Sequence, residues 1–203
     1  AGPPCTVRRR LHRAILPVLQ RSSERIDDEL SEQENPENFD GNYIAALDVM
    51  SARNWQVHDN VFAGIQGRNG GARGAIFFWQ GSQDVRIEDN IIVDCDSGMW
   101  LGLSWTPEDT PRGVRYAVCN NQTTRPGPAG ILLSRHVDSR IANNTIYDPR
   151  TTHDRPAATD IDDGGVLIAS ERPVCRPLRI GVQNQNLLIE DNLLISEQDL
   201  HVA

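Results

Sequence analysis

The 203-residue sequence predicts an all-β fold built by repetition, and three observations predict it. First, a five-residue pattern ending in Asn, with an apolar residue three places before it, occurs five times: QVHDN at 56–60, RIEDN at 86–90, AVCNN at 117–121, RIANN at 140–144 and LIEDN at 188–192. Second, a small-plus-aliphatic run precedes each copy: Ala46-Leu47-Asp48-Val49, Ala75-Ile76-Phe77-Phe78, Gly98-Met99-Trp100-Leu101, Gly130-Ile131-Leu132-Leu133 and Gly165-Val166-Leu167-Ile168. Third, the segments between them carry no helical period. Two strand types in fixed order, five times over, describe a repeat protein.

Taken in order, residues 1–10 are rich in Pro and Arg and are predicted to be disordered. Leu11, Ile15, Leu19, Ile26 and Leu30 fall near helical spacing, interrupted by Pro17. An acidic linker follows at 31–41. Residues 1–41 are therefore read as an arm, helical or disordered, placed to cap the domain that occupies 42–203.

Strands this short cannot bury an apolar face alone, so each repeat is expected to form one turn of a coil, like strand stacking on like strand. Leu47, Ile76, Met99, Ile131 and Val166 then make one inward ladder. Val57, Ile87, Val118, Ile141 and Ile189 make a second, and Phe62, Ile92, Ile146 and Leu194 a third. The recurrent Asn60, Asn90, Asn121, Asn144 and Asn192 are expected at a corner, tolerating left-handed backbone angles and bonding amide to amide along the stack.

On these residues the chain resembles the right-handed parallel β-helix proteins of the pectate-lyase-like group, with repeats of the NVxIxxNxIxxxxxGI type, over about residues 44–196. The fold class implied is an all-β right-handed parallel β-helix, a solenoid of about five coils with an N-terminal helical or disordered arm. The stretches Leu47-Asp48-Val49-Met50 and Phe78-Trp79-Gln80-Gly81-Ser82 are also similar to bacterial β-helix proteins of unassigned function. The resemblance implies an extracellular or periplasmic protein. It leaves activity open, because the architecture hosts lyases, hydrolases, epimerases and copies without known chemistry.

A net charge of −8 and a pI near 5.1 argue against nucleic acid and anionic membranes as general partners. All 20 basic residues are Arg. No apolar run approaches a membrane span, and the start of the chain lacks the apolar centre of a signal peptide. Cys5, Cys95, Cys119 and Cys175 have no metal-type spacing, and the sequence leaves a disulfide framework open.

Insertions point to where chemistry could sit, because equivalent corners of a solenoid lie on one side. The step from first to second strand lengthens at Met99 to Val118 and at Val166 to Ile189, giving loops near 104–114 and 170–184. The return corner lengthens near 63–73 and 148–163. Loops at both edges would make a groove of the first-strand sheet's outer face.

Strand alternation turns Phe77, Trp79 and Trp100 outward there, and Trp105 lies in the 104–114 loop. Aromatic rings stack on sugar rings, so these four are the candidate substrate-binding residues. Coverage by the arm, the loops or another copy of the chain is the alternative for the same face.

The run Thr159-Asp160-Ile161-Asp162-Asp163-Gly164-Gly165 is the densest carboxylate cluster. Paired carboxylates suit general acid and base work on a glycosidic bond, or a Ca²⁺ ion that binds a uronate. Asp and Gly in that order also make an ordinary turn. At the opposite edge Arg135-His136 suits proton abstraction beside a uronate carboxylate, or a solvated turn. Asp160, Asp162, Asp163, Arg135 and His136 are thus the candidate catalytic residues, with no other cofactor implied.

The expected function is recognition or processing of a polysaccharide, of lyase or glycoside-hydrolase type, in that groove. The competing expectation is a non-catalytic structural or adhesive module that self-associates through its apolar face.

Overall fold

The computed structural model describes residues 44–67, 74–102, 110–127, 129–148, 160–161, 167–168, 176–181 and 183–195. The arm predicted for 1–41 lies outside the described residues. Within them the chain is all-β, with three five-stranded parallel sheets. This arrangement is consistent with a solenoid-like fold.

The first sheet runs, in spatial order, Ala45–Met50, Gly74–Trp79, Ser97–Leu101, Ala129–Leu133, Arg176–Ile180. The second is Gln56–His58, Arg86–Glu88, Ala117–Cys119, Arg140–Ala142, Leu188–Glu190, and the third Val61–Ala63, Ile91–Val93, Gln122–Thr124, Thr145–Tyr147, Leu193–Ile195. Each repeat therefore contributes one strand to each sheet. A smaller parallel sheet, Ser82–Gln83, Gly113–Val114 and His136–Val137, forms the bend between the first and second.

The register confirms the second ladder in full, with Val57 beside Ile87, Ile87 beside Val118, Val118 beside Ile141 and Ile141 beside Ile189. The third ladder gains the member that the apolar pattern lacks. Thr123 stands between Ile92 and Ile146 and is itself buried.

The first ladder is corrected at its last position. Leu178, not Val166, pairs with Ile131, while Leu167–Ile168 pairs antiparallel with Asp160–Ile161. Leu178 precedes Ile189 by 11 residues, the same step as in the short repeats, so the predicted 170–184 insertion does not leave from that corner. Regular spacing decides the strand, and the Gly-aliphatic look of 165–168 does not.

The Asn ladder is present. Asn60, Asn90, Asn121 and Asn144 each donate from the backbone N–H and from Nδ2 to the Oδ1 of the Asn in the following repeat, at 2.9–3.2 Å. The left-handed residue, however, is the one before each Asn: Asp59, Asp89, Asn120, Asn143 and Asp191, with φ between 53° and 58°. A short polar side chain makes that conformation tolerable, and it turns the following Asn inward.

Candidate functional site

The outer face of the first sheet is set by its register. Asp48, Phe77, Trp100, Leu132 and Arg179 stand side by side in one column, and Met50 stands beside Trp79. All point away from the shared core, as alternation requires. The face is not an open groove at its centre: Phe77 is 1% and Trp100 3% exposed, packed with Ala45, Trp79 and Leu132. The expectation that these two rings offer a free platform is corrected.

Trp79 differs. It is only partly buried, its ring lies parallel to that of Phe77 (2° between planes, centroids 5.7 Å apart), and its Nε1 donates to Asp48 Oδ1 at 2.8 Å. A stack on one side and a hydrogen bond at the ring edge fix its orientation. Asp48 is exposed and Met50 is 54% exposed. Asp48 and Met50 bring this corner of the outer face to solvent. Trp105 lies outside the described residues.

The candidate pair Arg135-His136 is not a solvated turn. Arg135 adopts φ 57° and is 7% exposed, and His136 is fully buried. The His136 ring sits edge-to-face against Tyr116 at 4.5 Å, and its Nδ1 lies 3.3 Å from Ser139 Oγ. It also lies over Gly113, where a Cβ would come within 2.1 Å of Cε1, so only glycine leaves room for the ring.

Burial pushes the His136 imidazole down to about 3. The ring is therefore neutral at ordinary pH and walled off from any ligand on the outer face. Of the acidic cluster, Asp160 belongs to the two-stranded antiparallel pair, and Asp162 and Asp163 lie outside the described residues.

Among the described residues no three His, Cys, Asp or Glu side chains are grouped to hold a metal ion. In the bend that follows Trp79 one ion pair joins successive repeats. Arg115 reaches back one repeat with Nε and Nη2 to both Asp84 oxygens at 2.6 and 2.7 Å, which holds the Asp84 carboxyl below the usual range. Arg53 donates to Gln83 Oε1 at 2.9 Å.

Two features escape a reading by alternation. Cys119, outward by strand alternation, is fully buried and disulfide-bonded, its partner lying outside the described residues. Cys95 is free, and burial pushes its thiol up to about 12, which makes it inert as a nucleophile. Trp55, 44% exposed and edge-on to Phe78 at 5.9 Å, was signalled only by being aromatic in a turn. No protein-family model, curated protein or solved structure matches the chain.

Proposed function

We propose that the chain is a right-handed parallel β-helix of five coils that recognises a polysaccharide at the Trp79 corner of its first sheet. Right-handed crossover is the general rule for parallel strands joined in succession. The observation that carries the binding reading is the preorganised indole: Trp79 is held by Phe77 and Asp48 yet is only partly buried. A ring already fixed in its bound orientation loses little freedom when a sugar stacks on it. Recognition is favoured over cleavage because His136 is buried, neutral and on the core side of the sheet.

An extracellular or periplasmic setting accords with the disulfide at Cys119, since such bonds persist in oxidising compartments. A second reading, a structural module that stacks on another copy, draws on the last repeat. Ile189, an inward-ladder residue, is 41% exposed there, against 1% for Ile141 one repeat earlier.

Titration of the full chain with neutral, cationic and uronate oligosaccharides, followed by tryptophan fluorescence and calorimetry, tests the binding reading. Saturable binding that Trp79→Ala abolishes and Trp55→Ala leaves intact is expected. Silence across the panel, together with self-association in light scattering that Ile189→Arg abolishes, would put the second reading in its place. Appearance of unsaturated uronate absorbance in the same samples would overturn the restriction to recognition.

A further inference from the structure

The second sheet is covered on its outer side, and only at its middle. Ala117, Cys119 and Ala142 point away from the core by alternation, yet each is fully buried. The strands at the two ends are open there: Gln56 and His58 are exposed, and Leu188 is 39% exposed. Three small side chains thus form a short lane flanked by two ion pairs, Arg86 with Glu88 and Arg140 with Glu190. Within that lane Cys119 is disulfide-bonded to a cysteine outside the described residues.

Cys95 is free and buried, which leaves Cys5 and Cys175 as partners. Cys175 is joined in the chain to Arg176, which stands beside Ala129 in the first sheet. Between that edge and Cys119 lies the width of the third sheet, the strand Gln122–Thr124, roughly 10 Å long with a bend at each end. Disulfide α-carbons stand no more than about 7 Å apart, so Cys175 does not reach. Cys5 does, because residues 6–43 extend up to about 3.3 Å apiece.

We infer that Cys5 is the partner of Cys119, and that the segment around it, Gly2-Pro3-Pro4-Cys5-Thr6, docks over Ala117 and Ala142 as a strap across the second sheet. Two prolines pre-set an extended backbone and carry no N–H to leave unpaired, which suits a segment laid flat over small side chains. Arg8-Arg9-Arg10 follows within roughly 10 Å, beside a corner row that holds Asp59, Asp89 and Asp191. The bond makes docking intramolecular, so a short segment with few contacts stays in place.

Tryptic mapping of the unreduced full chain, with free thiols alkylated first, tests the pairing. Peptide 1–8 joined to peptide 116–135, and lost on reduction, is expected; peptide 116–135 joined to 151–179 overturns it. Cys175→Ser should keep the 1–8 link, and its loss there would overturn the assignment as well.

Cys5→Ser tests the strap. In the folded variant Cys119 should take up iodoacetamide while Cys95 stays unlabelled. Brief phosphine reduction of the unaltered chain gives the same readout without a substitution: the two sulfurs take up two electrons and two protons, and the phosphine becomes its oxide. Cys119 as unreactive as Cys95 after either treatment would overturn the docking of the segment over the lane.

Discussion

Phe77 and Phe78 are neighbours on one strand, equally buried, and they stabilise different things. Phe78 points into the core shared by all three sheets, edge-on to Trp55 at 5.9 Å and to Tyr116 at 6.2 Å. Phe77 points the other way, into a small cluster with Trp100, Trp79, Leu132 and Ala45. The core cluster runs unbroken from Ile44 to Leu194, so each ladder residue supports the repeats on both sides. The outer cluster is local, and what it fixes is the orientation of Trp79.

The largest expected effect breaks this comparison on the core side. Phe78→Ala should cost about 4 kcal/mol, because a buried Phe truncation leaves a cavity that close-packed ladders above and below cannot fill. Phe77→Ala should cost about half as much, since a five-residue outer cluster can collapse onto the gap. It should also free Trp79. Urea denaturation measures the first difference and acrylamide quenching of tryptophan the second. Equal losses with unchanged quenching would show that the two faces are energetically alike.

A smaller effect separates interior from edge within the Asn ladder. Asn121 lies between two partners: its Oδ1 accepts from Asn90, and its Nδ2 donates to Asn144 Oδ1 and to the Ile87 carbonyl at 2.9 Å. Asn121→Ala leaves a buried N–H and a buried carbonyl unsatisfied, a loss of about 3 kcal/mol. Among the described residues Asn60 bonds in the ladder only forward, to Asn90, and keeps the His58 carbonyl at an exposed position. Asn60→Ala should cost about 1 kcal/mol. Denaturant midpoints for the two variants check the ratio, and equal losses would mean that the ladder does not act along its length.

Much of this was legible in the sequence because it repeats. An Asn at one register with an apolar residue three places before it fixes the second sheet, its corner and the amide ladder, since each copy tests the others. The last first-sheet strand was missed because Val166-Leu167-Ile168 has the stronger local β pattern, whereas Arg176–Ile180 is mostly polar or Pro. The step of 10 or 11 residues to the second ladder, kept by every repeat except Met99 to Val118, was the better guide.

Alternation correctly turned Phe77 and Trp100 outward, but it assigns a side of the sheet and says nothing of what lies over it. His136 was misread for a related reason. Two-residue strands in a bend look like turns, and only the stacking of Ser82, Gly113 and His136 in one register reveals an inward column in which small residues make room for a large ring.

That column supplies the most conditional effect, and it separates the core side from the outer side by pH. Burial depresses the folded pKa of His136 to about 3, from the ordinary imidazole value of 6.5. The unfolded chain therefore takes up a proton below about pH 6.5 that the folded chain refuses. Stability is fully present above that value and falls as pH drops toward 3, by about 1.4 kcal/mol per pH unit from this group alone.

Carboxylates titrate in part of the same window, so the informative quantity is the difference in slope between the protein and His136→Leu, followed as the urea midpoint from about pH 7 to 4. The variant should be less stable at neutral pH and flatter through the upper half of the range, where few carboxylates titrate. Parallel slopes would mean that His136 reaches solvent, and would reopen the side of the wall on which it can act.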